Sequence, residues 1–157
     1  MGLFRKKEKD YDCRFSGIVL ETENVTAITK GTPITVSIKD NVVKLSNQYL
    51  SSTLNLDQIS STDIYFEHDL IEKQKSVIGR GIAGGVLAGP LGAVIGGLSG
   101  TTSKTKKTLR KFLVLNFISS SDGKNCSIVL EADSFNNDAA RFVNIVRQRK
   151  GHQTLQL

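Results

Sequence analysis

The chain has 157 residues, 39% hydrophobic and 23% charged, a balance typical of one soluble globular domain. This composition excludes wholesale disorder and a protein with several membrane spans. The two cysteines, Cys13 and Cys126, exclude a disulfide-dense scaffold and a four-cysteine zinc site, and the two histidines exclude most multi-histidine metal centres. Basic residues outnumber acidic ones by 21 to 15, which gives a formal net charge of +6.

The first half of the chain alternates apolar and polar residues, which predicts β-strands. Residues 12–20 place Cys13, Phe15, Gly17 and Val19 on one face, a period of two. The same pattern predicts four further strands, at 33–38, 42–46, 50–56 and 60–67. In and between the last two of these strands, the residues expected in the core are Leu54, Leu56, Ile59, Ile64 and Phe66.

Two dipeptides predict tight hairpin turns. Asp40-Asn41 lies between the second and third strands, and Asp122-Gly123 lies between two later strands predicted at 111–119 and 126–132. Asp-Gly is a strong hairpin signal because both residues tolerate a positive φ. Each turn therefore predicts that the two strands beside it form a hairpin.

A C-terminal helix is predicted over residues 135–149. Its apolar face has helical spacing and consists of Phe135, Ala139, Phe142 and Val146. Asp133 and Ser134 are expected to cap its start, and basic residues in its last turn suit the helix dipole. Gly151 predicts the stop, with a flexible tail over 151–157.

About seven short strands followed by one amphipathic helix resemble the pleckstrin-homology (PH)/GRAM superfold, in particular the small bacterial PH-like domains. The resemblance covers residues 11–72 and 108–150. It implies a mainly β fold of the α+β class, a PH-like barrel or sandwich with one C-terminal helix. In lipid-binding PH domains the loop between the first two strands usually carries basic residues for phosphoinositides. Here that loop, residues 21–32, has two acids and one Lys30.

Residues 77–100, the glycine segment, have a different character and contain nine of the fourteen glycines. Two triplets have a spacing of four, and the second follows the first by eleven residues: Gly81, Gly85, Gly89, Gly92, Gly96 and Gly100. On a helix this spacing puts each triplet on one face, where small residues let two helices approach closely. The pattern resembles a glycine zipper. The other faces of the helix are apolar and need a partner, which is either lipid, another copy of the chain or the domain itself. These faces carry Ile82, Val86, Leu87, Val94, Ile95 and Leu98.

The dipeptide Gly89-Pro90 predicts a turn in the middle of this segment. Each arm then has about 12 residues and a length of about 18 Å, too short to cross a bilayer core of about 30 Å. We therefore expect a helical hairpin over 75–103, inserted into a single domain at 11–150 that follows a basic arm at 1–10.

Basic residues flank both ends of the glycine segment and would converge at the base of a hairpin. They are Lys73, Lys75, Arg80, Lys104, Lys106, Lys107, Arg110 and Lys111. Near an anionic leaflet each is worth about 1 kcal/mol, so this set predicts a site for anionic lipid or another polyanion. The alternative interpretation is a solvated linker whose charges keep the segment in water.

No pattern in the chain predicts catalysis, a metal site or a cofactor. Residues 79–84 match GxGxxG, but a dinucleotide site needs a βαβ unit and a later acid, whereas the stretch near position 104 is rich in lysine. We therefore predict a non-enzyme without a cofactor. The basic N-terminus lacks the apolar core of a secretory signal, so we expect a cytoplasmic, peripherally membrane-associated protein with both cysteines reduced and buried.

The predicted function is a binding module that associates, through the hairpin and its basic base, with an anionic membrane surface or with a protein partner, including itself. An alternative is a basic nucleic-acid-binding accessory protein, suggested by the isoelectric point of about 9.4 and the lysine-rich residues 104–111. Few aromatic residues accompany those lysines, which disfavours base stacking. A membrane-active, bacteriocin-like toxin is a third interpretation, because such peptides also use GxxxG.

Overall fold

The computed structural model of the protein describes residues 10–69, 92–94 and 110–154. Seven strands form one antiparallel sheet in the order β4-β3-β2-β1-β7-β6-β5. The strands are β1 (Cys13–Glu23), β2 (Pro33–Lys39), β3 (Val42–Ser46), β4 (Ser51–Asn55), β5 (Ile59–Phe66), β6 (Lys111–Ile118) and β7 (Asn125–Ala132). A 3₁₀ turn, Leu56–Gln58, joins β4 to β5, and helix α1 spans Asp138–Thr154. The predicted mainly β fold with a C-terminal helix is confirmed.

The inner face of the sheet and one face of α1 enclose the main core. Helix α1 packs against β1, β5 and the 3₁₀ turn, and it buries Ala139, Phe142, Val143 and Val146. The rings of Phe15 and Phe142 meet edge to face with centroids 5.5 Å apart. Each fully buried side chain of this size contributes about 1.5–3 kcal/mol, so the helix is held by its apolar face.

The predicted alternation in β1 is confirmed, because Cys13, Phe15 and Val19 are all buried on the inner face. Gly17 continues this face opposite Ala132 of β7. A Cβ atom at Gly17 would lie 2.8 Å from the Glu131 carbonyl oxygen. Glycine therefore permits the close approach of β1 and β7 at this position.

Both predicted hairpins are present. Asp40 has a φ of 49° in the turn between β2 and β3, and Gly123 has a φ of 69° in the turn between β6 and β7. The backbone N–H of Lys124 donates to Asp122 Oδ1 at 3.2 Å, which stabilises the second turn.

The predicted start of the helix is wrong. Asp133 and Asn136 accept hydrogen bonds from the backbone N–H groups two residues later, and these Asx turns hold the chain outside the helix until Asp138. Asp133 and Ser134 therefore do not cap the helix. Phe135, predicted on its apolar face, is 98% exposed.

Two further details differ from the prediction. The helix continues through Gly151 to Thr154, because one glycine costs a helix only about 1 kcal/mol. Phe66 was expected in the core but is 39% exposed. It is the last residue of β5, and its neighbour across the ladder is Lys111, so the apolar inner face ends before it.

The predicted hairpin over 75–103 and its turn at Gly89-Pro90 lie outside the described residues, apart from 92–94, which are helical. In the parts of the chain that the structure describes, no helix combines the length and apolarity needed to cross a membrane.

Candidate interaction surface on the outer face of the sheet

Strands β6 and β7 are buried on both of their faces. Their inner face contributes Leu113 and Leu130 to the main core. On the outer face, Phe112 and Val129 are 0% exposed and Val114 is 8% exposed. An antiparallel sheet of this kind usually has one solvated face. The burial on the outer face therefore requires a second layer over these two strands.

Phe112, Val114 and Val129 form a separate apolar cluster, called here the outer cluster. Val114 and Val129 are directly opposite each other in the ladder. Three partly buried side chains pack against the cluster, Leu20 of β1, Tyr65 of β5 and Val94. Val94 belongs to the glycine segment. Of the three apolar partners expected for that segment, Val94 therefore contacts the domain itself.

A bidentate ion pair borders the outer cluster. Arg110 Nε and Nη2 each donate to a carboxylate oxygen of Glu131 at 2.7 Å. The guanidinium carbon lies 5.3 Å from the ring centroid of Phe112, a cation–π distance. The hydrogen bonds to Glu131 raise the pKa of Arg110 above its ordinary value, so the guanidinium stays charged. Arg110 thus links the ion pair to the cluster.

Lys111 occupies the inner face and is only 8% exposed. Its Nζ donates to the carbonyl oxygen of Asn136 at 2.9 Å, just before α1. Arg110 and Lys111, both predicted to bind polyanions, are therefore engaged inside the domain. The other six residues of that set lie outside the described residues: Lys73, Lys75, Arg80, Lys104, Lys106 and Lys107. For these six the polyanion site stays a prediction.

Of the predicted helix-packing glycines, Gly92 lies in the described helical residues 92–94. The remaining five and the hairpin-turn residue Pro90 lie outside the described residues: Gly81, Gly85, Gly89, Gly96 and Gly100. The glycine zipper thus stays a prediction about packing, whereas the contact of Val94 with the outer cluster is observed.

The outer cluster was missed by the sequence reasoning, although a signal for it exists. Residues 112–115 read FLVL and residues 128–130 read IVL, which are continuous apolar runs rather than alternating ones. Such runs are typical of strands that are covered on both faces. The pattern predicts a second layer, but not which part of the chain supplies it.

The first loop, between β1 and β2, has little free positive charge. Lys30 Nζ lies 3.6 Å from Glu21 Oε2, which compensates the lysine. The first loop therefore differs from the basic loop of phosphoinositide-binding PH domains, as its sequence indicated.

The two thiols are buried, as predicted. Burial is the main cause that raises the pKa of Cys13 and of Cys126, so both remain protonated and unreactive near neutral pH. Among the described residues, no three histidine, cysteine, aspartate or glutamate side chains are grouped closely enough to hold a metal ion.

A family model described as a glycine zipper containing PH domain matches residues 21–130, which is more than half of the chain. The matched region runs from within β1 to within β7 and includes the glycine segment. No curated protein and no solved structure matches the chain significantly.

Proposed function

Because the chain belongs to the family of PH domains that contain a glycine zipper, we propose that it is a non-enzymatic binding module that associates with anionic membrane surfaces, or with further copies of itself, through its glycine segment. The observation that carries the proposal is the packing of Val94 on the outer cluster. Since Val94 packs on the sheet, we expect a partner of the glycine segment to be held beside the PH domain.

The topology of the sheet supports this arrangement. Phe66, the last residue of β5, pairs directly with Lys111, the first residue of β6. The chain between them therefore leaves the sheet and returns to it at neighbouring positions. A segment inserted in this way keeps both of its ends on the same side of any membrane, which favours peripheral association over a single span.

The charges refine the predicted polyanion site. Arg110 and Lys111 already donate hydrogen bonds to Glu131 and to the carbonyl of Asn136. Moving either to a phosphate would leave a partner unsatisfied, at a cost of about 1–3 kcal/mol. We therefore expect Lys73, Lys75, Arg80, Lys104, Lys106 and Lys107 to supply the contacts with anionic lipid.

Vesicle sedimentation tests the proposal. The full chain is expected to bind vesicles of phosphatidylcholine with phosphatidylserine, and to release them as salt rises, because exposed charges are screened over about 8–10 Å at physiological ionic strength. A variant with 77–101 replaced by a short flexible linker should remain folded and bind more weakly, because it lacks Arg80 and the apolar part of the segment but keeps the five flanking lysines. Binding that is insensitive to lipid charge and salt, or that is undiminished by the deletion, would contradict the proposal.

A matched pair of charge variants localises the site. Lys106→Ala with Lys107→Ala should weaken vesicle binding, at about 1 kcal/mol for each lysine removed. Lys39→Ala with Lys44→Ala removes the same charge from exposed positions of β2 and β3, and it should have little effect. Equal losses in both variants would mean that net charge alone drives binding.

Self-association is tested by sedimentation velocity on glycine variants. Gly85→Ile places a branched side chain at the centre of the first triplet and should reduce assembly, because it holds two backbones apart. Gly84→Ala, next to it but outside the triplet, is the control. If the segment were merely an apolar tether, Gly85→Ile would keep or increase association, since isoleucine is more apolar and a better helix former.

The nucleic-acid alternative receives less support. Phe112 is buried in the outer cluster and Phe117 in the main core, so neither ring is available for base stacking. Tighter salt-sensitive binding to single-stranded RNA or DNA than to vesicles would nevertheless replace the membrane proposal.

A further inference from the structure

The sheet ends in two edge strands, β4 and β5, which differ in how their free edges are protected. An unprotected edge presents N–H and C=O groups that can pair with a strand of another chain. On β5 the register shifts between Ile59 and Ser61. Arg147 of α1 also donates to the carboxylate of Asp63 on this strand. The ammonium group of Lys150 donates to the carbonyl oxygen of Ile59. A bulge, a charge and the helix therefore protect the β5 edge.

Among the described residues, nothing comparable protects the β4 edge. Strand β4 has the sequence SSTLN, without a charge or a proline, and it pairs with β3 in continuous register. Four of its five side chains are exposed, so no other described element lies over it. Natural proteins usually place a lysine, a proline or a bulge on an edge of this kind, because it otherwise pairs with a second strand.

The hydrogen bonds at the two ends of β4 show which of its backbone groups point outward. Leu50 and Leu56 each bond at 2.9 Å to a residue that adjoins β3. In an antiparallel ladder every second residue bonds in the same direction, so the residues between them alternate. Ser51 and Thr53 therefore direct their N–H and C=O groups away from β3. No hydrogen bond from any other described residue reaches these outward groups.

A second copy of the chain fits this edge by two-fold symmetry. If Ser52 lies opposite Ser52 of the second copy, Ser51 lies opposite Thr53 on each side of the axis. Each such pair exchanges two main-chain hydrogen bonds, all from groups that are free in one copy. The next register would instead place Ser51 opposite Asn55. The N–H of Asn55 already donates to Gln58 Oε1 at 2.8 Å, so that register is disfavoured.

The residues around the edge are compatible with this pairing. Lys44 of β3 is the neighbour of Thr53 in the ladder. Three strand spacings of about 4.8 Å would separate the two Lys44 residues, at least about 14 Å, which exceeds the screening length of about 8–10 Å. The same register places Tyr49, which is 88% exposed, beside Asn55 of the second copy. An exposed tyrosine thereby gains a contact, as is common at interfaces.

We propose that β4 pairs antiparallel with β4 of a second copy, about a two-fold axis at Ser52, so that the two sheets continue as one. The contact consists mainly of a strand edge, so the dimer is weak and reversible, as is typical of interfaces below about 1,200 Å². This surface is separate from the glycine segment, so the pairing does not depend on vesicle binding.

Disulfide trapping with two adjacent serines tests the register. Across the axis the Cα atoms of Ser52 would be about 4.5 Å apart, within the range of about 4.4–6.8 Å that a disulfide spans. The Cα atoms of Ser51 would be roughly 9 Å apart, which is too far. Under mild oxidation Ser52→Cys should therefore form a covalent dimer at least about tenfold faster than Ser51→Cys. The unmodified chain is the control for the buried thiols Cys13 and Cys126.

Charge variants of Ser52 test the two-fold axis by sedimentation velocity over a range of protein concentrations. Ser52→Lys and Ser52→Glu each place like charges opposite one another and should weaken dimerisation by about tenfold. A one-to-one mixture should restore dimerisation, because opposite charges then face each other. Thr53→Pro removes an outward N–H without removing a bond to β3 and should also weaken dimerisation by about tenfold.

Four results would overturn the proposal. They are equal trapping of Ser51→Cys and Ser52→Cys, no restoration on mixing the charge variants, undiminished dimerisation of Thr53→Pro, and a full chain that stays monomeric up to about 1 mM. The last result would leave the β4 edge to a strand of another protein. Adding Gly85→Ile to Ser52→Cys should leave trapping unchanged, whereas loss of trapping would mean that assembly depends on the glycine segment. Trapping in a protein that fails to bind vesicles would support β4 pairing and contradict only the membrane proposal.

Discussion

Strands β2 and β3 alternate buried and accessible positions along their length, whereas β6 and β7 are buried at almost every position. Both pairs are antiparallel hairpins with tight turns, so the difference does not come from their pairing. It comes from the outer face, which is open to solvent over β2 and β3 and covered over β6 and β7. A PH-like sheet can thus have two layers at one end and a single solvated face at the other.

The ion pairs of the two regions differ in the same way. Arg110 and Glu131, beside the outer cluster, have side chains 29% and 30% exposed and form a bidentate pair at 2.7 Å. Lys30 in the first loop and Glu21 near the end of β1 have side chains 74% and 31% exposed, and they lie 3.6 Å apart. Hydrogen-bond geometry and partial burial make the first pair structural, while the second is a screened surface pair.

Phe112→Ala should produce the largest difference between the two regions. Truncation of a fully buried phenylalanine costs about 3–5 kcal/mol, and here the ring also lies against Arg110. Lys44→Ala, on the solvated face of β3, should change the free energy of unfolding by less than about 0.5 kcal/mol. Urea unfolding measures both. A loss below about 1 kcal/mol for Phe112→Ala would mean that the outer face is not covered.

Double-mutant cycles on the two ion pairs should give the next largest difference. The coupling between Arg110 and Glu131 is expected to be about 1.5–3 kcal/mol, as for hydrogen bonds between charged groups. The coupling between Lys30 and Glu21 should be between about 0 and 1 kcal/mol and should fall with salt. Similar coupling energies for both pairs would contradict the conclusion that the first pair is structural and the second is a screened surface pair.

Thr62→Val tests the inner face of the sheet, which is the side opposite the outer cluster. Among the described residues, Thr62 Oγ1 is a buried side-chain oxygen without a hydrogen-bond partner, and the residue is 4% exposed. Replacing this hydroxyl with a methyl group should stabilise the protein by about 1 kcal/mol. The control is Thr35→Val, which removes a hydroxyl that pairs with Ser16 at 3.1 Å and should give no gain. Thermal unfolding distinguishes the two outcomes.

Acid titration should give the smallest effect. Asp12 accepts hydrogen bonds from Arg149 and from the backbone N–H of Asp40, and these lower its pKa from the ordinary value of 3.8. Because the pKa is lower in the folded state, the ionised Asp12 stabilises the fold above pH 3.8. This stabilisation is lost as the pH falls below that value and the carboxylate becomes protonated. Asp12→Asn should therefore cost below about 1 kcal/mol at pH 7 and nothing at the lowest pH. A constant difference from pH 7 downward would contradict this assignment.

Local periodicity was sufficient to predict the strands and the inner core. Period-two alternation placed Phe15 and Val19 inside, and Asp122-Gly123 marked its hairpin because the turn chemistry is local. The helix start was missed because two Asx turns compete with helix formation between Asp133 and Asp138. Such competition depends on side-chain geometry, which apolar spacing does not describe.

The features of the candidate surface that could not be predicted from the sequence depend on contacts between residues far apart in the chain. Arg110 and Lys111 belong to a basic run, and nothing local shows that their partners lie 21 and 25 residues further along. The outer cluster has a visible signal in its continuous apolar runs, but its covering residue Val94 comes from a segment whose own pattern is equally compatible with lipid. Only the folded sheet brings these residues together.

The most direct test of the covered outer face is a nuclear Overhauser experiment on the full chain, with labelled valine methyls and phenylalanine rings. We expect cross-peaks from the Val94 methyls to the ring of Phe112 or to the methyls of Val114 and Val129, together with protection of these groups from a soluble paramagnetic agent. Val94 methyls without any of these cross-peaks, combined with a Phe112 ring that the agent reaches, would contradict the account.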